Sequence, residues 1–207
     1  VFTTTGAGAQ SIDQQGLDIN TTATQRRFYT LNPAPAATDT EGIYVRFTVQ
    51  ADSGGSINSN ERAVSIRLAD GAYEFEAVIR VSTTQIRLYD EVASSTLATD
   101  TVSGFSLTTT GASILLAVKG SRVSAWYRPA DHLTAYKWTE LASNEVLSNG
   151  GAGAATNEVK FGHLVNVGAG VQSHFREVLI SYGSDTGAQL GTGFDPGSML
   201  VPKIYPP

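Results

Sequence analysis

Alternation of apolar and polar side chains with a period of two constrains this chain more than any other feature. Ile43, Val45, Phe47 and Val49 alternate with Tyr44, Arg46, Thr48 and Gln50. Tyr73, Phe75, Ala77, Ile79 and Val81 alternate with Glu74, Glu76, Val78 and Arg80. Successive side chains of an extended backbone point to opposite faces, so each run buries one face and presents the other. Val64, Ile66 and Leu68, then Ile86 and Leu88, repeat the pattern. Shorter runs follow at 26–31, 105–107, 113–118, 122–127, 136–141, 158–163 and 174–182. The total is roughly ten to twelve strands, with turn signals such as Asp70-Gly71 and Lys119-Gly120 between them. No long segment keeps a helical period and no internal repeat is evident. The expectation is an all-β chain folded as a two-sheet antiparallel β-sandwich.

Composition supports this and narrows the partners. Of 207 residues, 16% are charged, only four are Lys, and none is Cys. A helical bundle would be richer in charged helix formers, and a disulfide scaffold or zinc ribbon would need cysteines. A net charge of −5 argues against a nucleic-acid surface. No apolar run is long enough to be a spanning helix. There are 23 Thr and 19 Ser. With so few charges, the outward strand faces must be filled by Thr, Ser, Gln and aromatics, a surface suited to glycans or neighbouring subunits. The absence of thiols, with abundant Thr, Ser and Asn, leans toward an extracellular or virion surface. The sequon Asn20-Thr21-Thr22 occurs once.

Residues 1–24 show no apolar periodicity and read as an extended N-terminal arm or linker, with one short strand near 16–20. Residues 25–183 carry the strand pattern of a single sandwich domain. Residues 184–207, with Pro196, Pro202 and a terminal Pro206-Pro207, read as an irregular tail packed on the domain or a neighbour.

The order GIYVRFTVQA, RAVSIRLADG, AYEFEAVIRV, TQIRLYDEVA, ASILLAVKGSRVSAWYR and SHFREVLISYG resembles the concanavalin A-like (laminin-G, lectin and glucanase) jelly-roll superfamily. Ala117-Val118-Lys119-Gly120, leading to Val123, Ala125 and Tyr127, is similar to a hairpin frequent there. Phe161-Gly162-His163 is similar to the strand after its long loop, and Phe175, Val178 and Ile180 to its closing strand. The resemblance covers about two thirds of the chain. It implies two stacked antiparallel sheets, and a fold that hosts lectins, carbohydrate-binding modules, glycosidases, lyases and virion proteins.

Several candidate chemistries follow. Retaining glycosidases need two carboxylates about 5–5.5 Å apart. Glu74-x-Glu76 is the nearest equivalent here to the family's E-x-D-x-x-E pattern, which is missing. The alternative is an outward strand face, with Arg80, Arg67 and Arg46 as cross-strand charge partners. Asp52-Ser53-Gly54 and Asp185-Thr186-Gly187 echo aspartic-protease loops, but in a chain too short for two lobes. His132, His163 and His174 share no ligand spacing, although His163 and His174 border one connection and could approach each other. No catalytic residue is assigned. Calcium remains open, because lectins of this fold place it at a loop rim. Candidate oxygens lie on Asp13, Asp18 and Asn20, or on Asp100, Asp131, Asp185 and Asp195, and the metal ligands stay unassigned.

The strongest binding candidates are aromatics on polar strand faces. Trp126 falls between Arg122 and Arg128, and Tyr136, Trp138 and Glu140 repeat the arrangement on the next strand. An indole ring can stack a sugar's C–H face while Arg and Glu bond its hydroxyls. Alternatively, Trp126 or Trp138 packs in the core or beneath a partner subunit. The function expected is a non-catalytic, lectin-like carbohydrate-binding module on a cell-surface or virion protein. The alternatives are a structural subunit of an extracellular or phage assembly, with a homo-oligomer among its forms, and a jelly-roll glycosidase or polysaccharide lyase.

Overall fold

The computed structural model describes residues 2–13, 16–31, 42–130, 137–153 and 156–183. Tyr136, Asp131, His132, Asp185, Asp195 and the tail 184–207 lie outside the described residues. In chain order the strands are β1 (Phe2–Thr5), β2 (Ala9–Asp13), β3 (Gly16–Thr21), β4 (Arg27–Leu31), β5 (Gly42–Ser53), β6 (Ala63–Ala69) and β7 (Glu74–Val81). They continue with β8 (Gln85–Asp90), β9 (Ser95–Thr101), β10 (Ala112–Lys119), β11 (Arg122–Pro129), β12 (Thr139–Val146), β13 (Glu158–His163) and β14 (Val171–Gly183).

Two seven-stranded sheets result. The first runs β1-β4-β13-β6-β7-β8-β9, the second β12-β11-β10-β5-β14-β3-β2, and every pairing is antiparallel. The period-two faces meet between the sheets. Val45, Phe47 and Val49 of β5, Ile114, Leu116 and Val118 of β10, Ile66 and Leu68 of β6, and Ile79 of β7 share one buried core. Each such side chain contributes about 1.5–3 kcal/mol by leaving water.

The first 24 residues, expected as an arm with one short strand near 16–20, supply that strand as β3 and, beyond the expectation, β2 beside it and β1 at the edge of the other sheet. Ile19 of β3 is fully buried in the core. Residues 105–107, expected as a strand, lie in a loop, where Leu107 is buried and accepts the amide of Ala51 at 2.9 Å through its carbonyl. The true edge strand, β9, was hidden because Ser-Thr-Leu-Ala-Thr-Asp-Thr carries almost no apolar alternation.

Asp70-Gly71 does open a turn. The Asp70 carboxylate accepts the amides of Ala72 and Tyr73, and Gly71 adopts φ +91°, a conformation that glycine takes without strain. A bulge between Arg176 and Leu179 interrupts β14 against β5, with Glu177 at φ 49°.

Candidate functional site

The central strands of the second sheet present a distinct outward face. On β10, Leu115 and Ala117 point away from the core, and on β11 so do Ser124, Trp126 and Arg128. Tyr44 of β5 lies opposite Ala117. Tyr44, Leu115, Ala117 and Trp126 form a second apolar cluster, with Trp138 packed against it. Trp126 is only 4% exposed, so its ring is a packed base rather than an open platform.

Trp138 is the aromatic that reaches the surface. It is half-buried, and the Arg128 guanidinium lies 4.6 Å from its ring centre. That separation is a cation–π contact, worth about 0.5–1 kcal/mol at such an exposed site. Among the described residues, the Arg128 donors make no hydrogen bond. Glu140 is exposed and stands opposite Trp126 in the β11–β12 register. Arg122 is exposed and donates to the Asn144 carbonyl at 3.2 Å, across the register shift that bends β12. Trp126, Arg128, Trp138 and Glu140 therefore gather at one end of the outward face. Arg122 sits two strand turns away.

Toward the β5–β14 side the face becomes mostly polar, with the exposed Leu179 opposite Arg46 as an apolar exception. Thr48 and Ser113 hydroxyls meet at 3.0 Å, and Arg46 pairs with Glu177 at 3.5 Å. Arg176 donates to Gln50 at 2.9 Å, Gln50 donates to Asp52 at 2.8 Å, and Asp52 meets His174 Nδ1 at 2.6 Å. The bulge at Glu177 is what brings that carboxylate to Arg46. Sequence reading missed this chain because its members come from β5 and β14, more than a hundred residues apart.

The first sheet carries the carboxylates considered for catalysis. Glu76 accepts the Ser65 hydroxyl at 2.6 Å, and burial raises its pKa against the opposing effects of Ser65, Lys160 and Arg67. Arg67 lies opposite Glu76, but its ion pair is with Glu158 at 3.3 Å, and Arg80 pairs with Glu91 at 3.3 Å. Arg46 belongs to the other sheet, so it is no cross-strand partner for this face. Glu74 opens β7, where its amide meets the Asn149 side chain at 3.2 Å and its carbonyl the Gly150 amide at 2.9 Å.

Inside the sandwich the polar groups serve the architecture. Arg62 is fully buried at the sheet ends. Its Nε donates to Ser173 at 2.6 Å, Nη1 to the carbonyls of Gly54 and Val81, and Nη2 to those of Ser53 and Gln172. All five donors are thus used. Burial lowers its pKa to about 10, with Asp52 and Glu61 opposing, so it stays a cation at neutral pH.

His163, also fully buried, contacts Ser173 through Nε2 at 2.8 Å and Thr21 through Nδ1 at 2.9 Å. Burial, and then the Arg62 charge, lowers its pKa to about 3. A neutral ring needs one donor and one acceptor. The hydroxyls supply both if Nδ1–H donates to Thr21 and Ser173 donates to Nε2.

His163 faces the interior and His174 the opposite side of β14, so the two do not share a site. Among the described residues, no group of three His, Cys, Asp or Glu is placed to hold a metal ion. Asp18 stands opposite His174, and among the described residues its buried Oδ1 has no hydrogen-bond partner.

No family model matches the sequence, and no curated protein matches it. Solved structures do. Lectin I-B4 from Griffonia simplicifolia, in its metal-free form, superposes with a TM-score of 0.51 at 10% identity, over 87% of this chain and 93% of the lectin. Carbohydrate-binding module CBM66 from Bacillus subtilis gives 0.48 at 11% identity, over 87% and 94%. An alginate lyase from Pseudomonas aeruginosa gives 0.48 at 11% identity, over 84% and 86%. Likeness at such identities speaks to architecture alone. The chain folds as a concanavalin A-like jelly roll, a two-sheet antiparallel β-sandwich.

Proposed function

We propose that this protein is a non-catalytic, lectin-like carbohydrate-binding module of a cell-surface or virion protein. One observation carries the reading. At the β11–β12 end of the outward face, a half-exposed indole is held by a stacked guanidinium with uncommitted donors, beside an exposed carboxylate. Trp138 offers an apolar plane for a pyranose C–H face. Arg128 donates to ring hydroxyls and Glu140 accepts from them. The buried Trp126, Leu115 and Tyr44 beneath hold Trp138 in place, so little side-chain entropy is lost on binding. The names of the lectin and of the carbohydrate-binding module agree with this reading.

A glycan array with the purified protein tests it, followed by calorimetry on each hit. Selective binding that weakens at least about tenfold in Trp138→Ala and in Arg128→Ala is expected, about 1.4 kcal/mol each. Silence across the array, or binding indifferent to both substitutions, overturns it.

A structural role in an extracellular or phage assembly is the second reading. It is favoured by the exposed Phe2 and Ile12 on one side of the sandwich.

A further inference from the structure

β14 outruns the strand on its outer side. Its inner edge pairs with β5 as far as Gly183, opposite Gly42, whereas its outer edge pairs with β3 only from Val171 to Phe175. β3 begins at Gly16, packed so closely on Arg176 that a Cβ there would lie 2.7 Å from the Arg176 Cγ. From Glu177 to Gly183, no described strand covers the outer edge of β14. A bare backbone edge is a template for another strand. Val178 and Ile180 pack against the core beside it yet stay only partly buried, and Leu179 is 43% exposed.

The core runs out at the same place. Phe2, Leu17, Tyr29 and Phe161 line an open cleft of about 580 Å³. Leu17 stands opposite Phe175, the last residue of β14 that β3 covers, and the Phe161 and Phe175 rings lie 5.7 Å apart. The cleft therefore adjoins the bare edge. Two stretches outside the described residues meet this end of the sandwich. Residues 32–41 lead into Gly42, with Pro33 and Pro35 and no large apolar side chain. Residues 184–207 follow Gly183 directly and carry Leu190 and Phe194 in alternation with Gly191 and Gly193.

We infer that the chain's own residues 188–195 occupy this edge, turning back at Asp185-Thr186-Gly187 to add a further antiparallel strand beside β14. A three-residue hairpin loop is a type I turn closed by a left-handed residue, the place glycine fills without strain. With Ser184 and Ala188 as the closing pair, Leu190 falls opposite Tyr182, Thr192 opposite Ile180, and Phe194 opposite Val178. Directly opposed residues share a face, so Leu190 and Phe194 join the side of Val178 and Ile180 and enter the apolar cleft. Gly193 falls opposite Leu179 on the outward side. Asp195 arrives at the Arg176 end, where the buried Nε of Arg176 has no hydrogen-bond partner among the described residues and Glu177 is engaged by Arg46. Pro196 then ends the strand where the β2–β3 hairpin takes over the same line, because proline has no amide to give a ladder. Length, apolar pattern and charge all match the bare edge. Gly191 and Gly193 weaken the strand's own propensity, so Leu190 and Phe194 are its anchors.

Hydrogen exchange of the full wild-type chain, followed by mass spectrometry, tests the pairing without any substitution. Peptides covering 188–195 are expected to exchange at least about tenfold more slowly than an unstructured chain. The lack of native cysteine makes a second test direct. Leu179→Cys combined with Gly193→Cys is expected to form a disulfide within one chain on mild oxidation, because directly opposed residues of an antiparallel pair lie about 4.5–5.5 Å apart at Cα. Leu179→Cys combined with Ser198→Cys, beyond Pro196, is expected to form none. Phe194→Asp is expected to lower the melting temperature by about 3–12 °C, the loss of one buried aromatic side chain in a chain of this size, and to speed exchange across 188–195. Unprotected 188–195 amides, a disulfide between two copies instead of within one, or Phe194→Asp melting with the wild type overturns the proposal.

Discussion

Arg62 and Arg128 are the same side chain spent in two ways. Arg62, sealed between the sheet ends, gives all five donors to four carbonyls and a hydroxyl. Arg128, on the outward face, lies against Trp138 and makes no hydrogen bond among the described residues. The first ties the loop before β6 to β7 and β14 and leaves nothing for a ligand. The second contributes little to the fold and keeps its donors for whatever arrives. A polar group committed on every side is architecture, whereas one held in place but uncommitted is what the proposed glycan site draws on.

The sharpest way to break this contrast is to make the same substitution at both positions. Arg62→Met removes a buried guanidinium that donates to four carbonyls and a hydroxyl, and is expected to cost about 4 kcal/mol in urea unfolding. A loss below about 1 kcal/mol would show that the buried carbonyls find other partners. Arg128→Met is expected to change unfolding by less than about 1 kcal/mol while abolishing the glycan response.

A second test uses pH. The folded-state pKa of His163 is lowered to about 3, below its ordinary value near 6.5. The unfolded chain therefore binds a proton there first as pH falls. Stability from this residue is whole above about pH 6.5 and drains away as pH drops toward 3, by at most about 1.4 kcal/mol per pH unit. Urea midpoints from pH 7 to 4 should fall with that slope, and His163→Gln should flatten it. An unchanged slope would remove His163 from the interior network.

A smaller effect is expected at Glu140. Glu140→Gln keeps an acceptor but loses the charge, so affinity for a neutral glycan should fall only about two- to fivefold, with stability unaffected. A complete loss would shift the centre of the site from Trp138 to the carboxylate. The smallest effect concerns the first sheet. Burial raises the Glu76 pKa, so its ionised form opposes folding. Glu76→Gln should leave stability at pH 7 unchanged or slightly improved. A clear loss there would mean that the charge pairs more strongly with Arg67 and Lys160 than its burial costs.

Much of the fold was legible in residues. Ile43 to Val49 and Phe75 to Val81 alternate so strictly that their inward faces could be read directly, and the hairpin through Gly120 held its place. What escaped were strands without that signal. β1, β2 and β9 are rich in Thr, Ser and Ala, and they are strands because a neighbour's backbone pairs with them rather than because their side chains demand it. The candidate site was legible in part. The alternation of β11 put Trp126 and Arg128 on one face, but it could not say that Leu115 and Tyr44 would pack against Trp126 and leave Trp138 as the exposed ring. Arg62 gave no warning at all. A single charged residue before a strand reads as surface until five acceptors from distant segments converge on it.

The sequence alone determined that this chain forms a two-sheet antiparallel sandwich, because side-chain alternation is a local property of an extended backbone and the hydrophobic effect acts on it wherever it occurs. Only the tertiary structure decided which polar groups are consumed and which remain available. Hydrogen-bond satisfaction is set by partners tens to hundreds of residues away, and no local pattern records them.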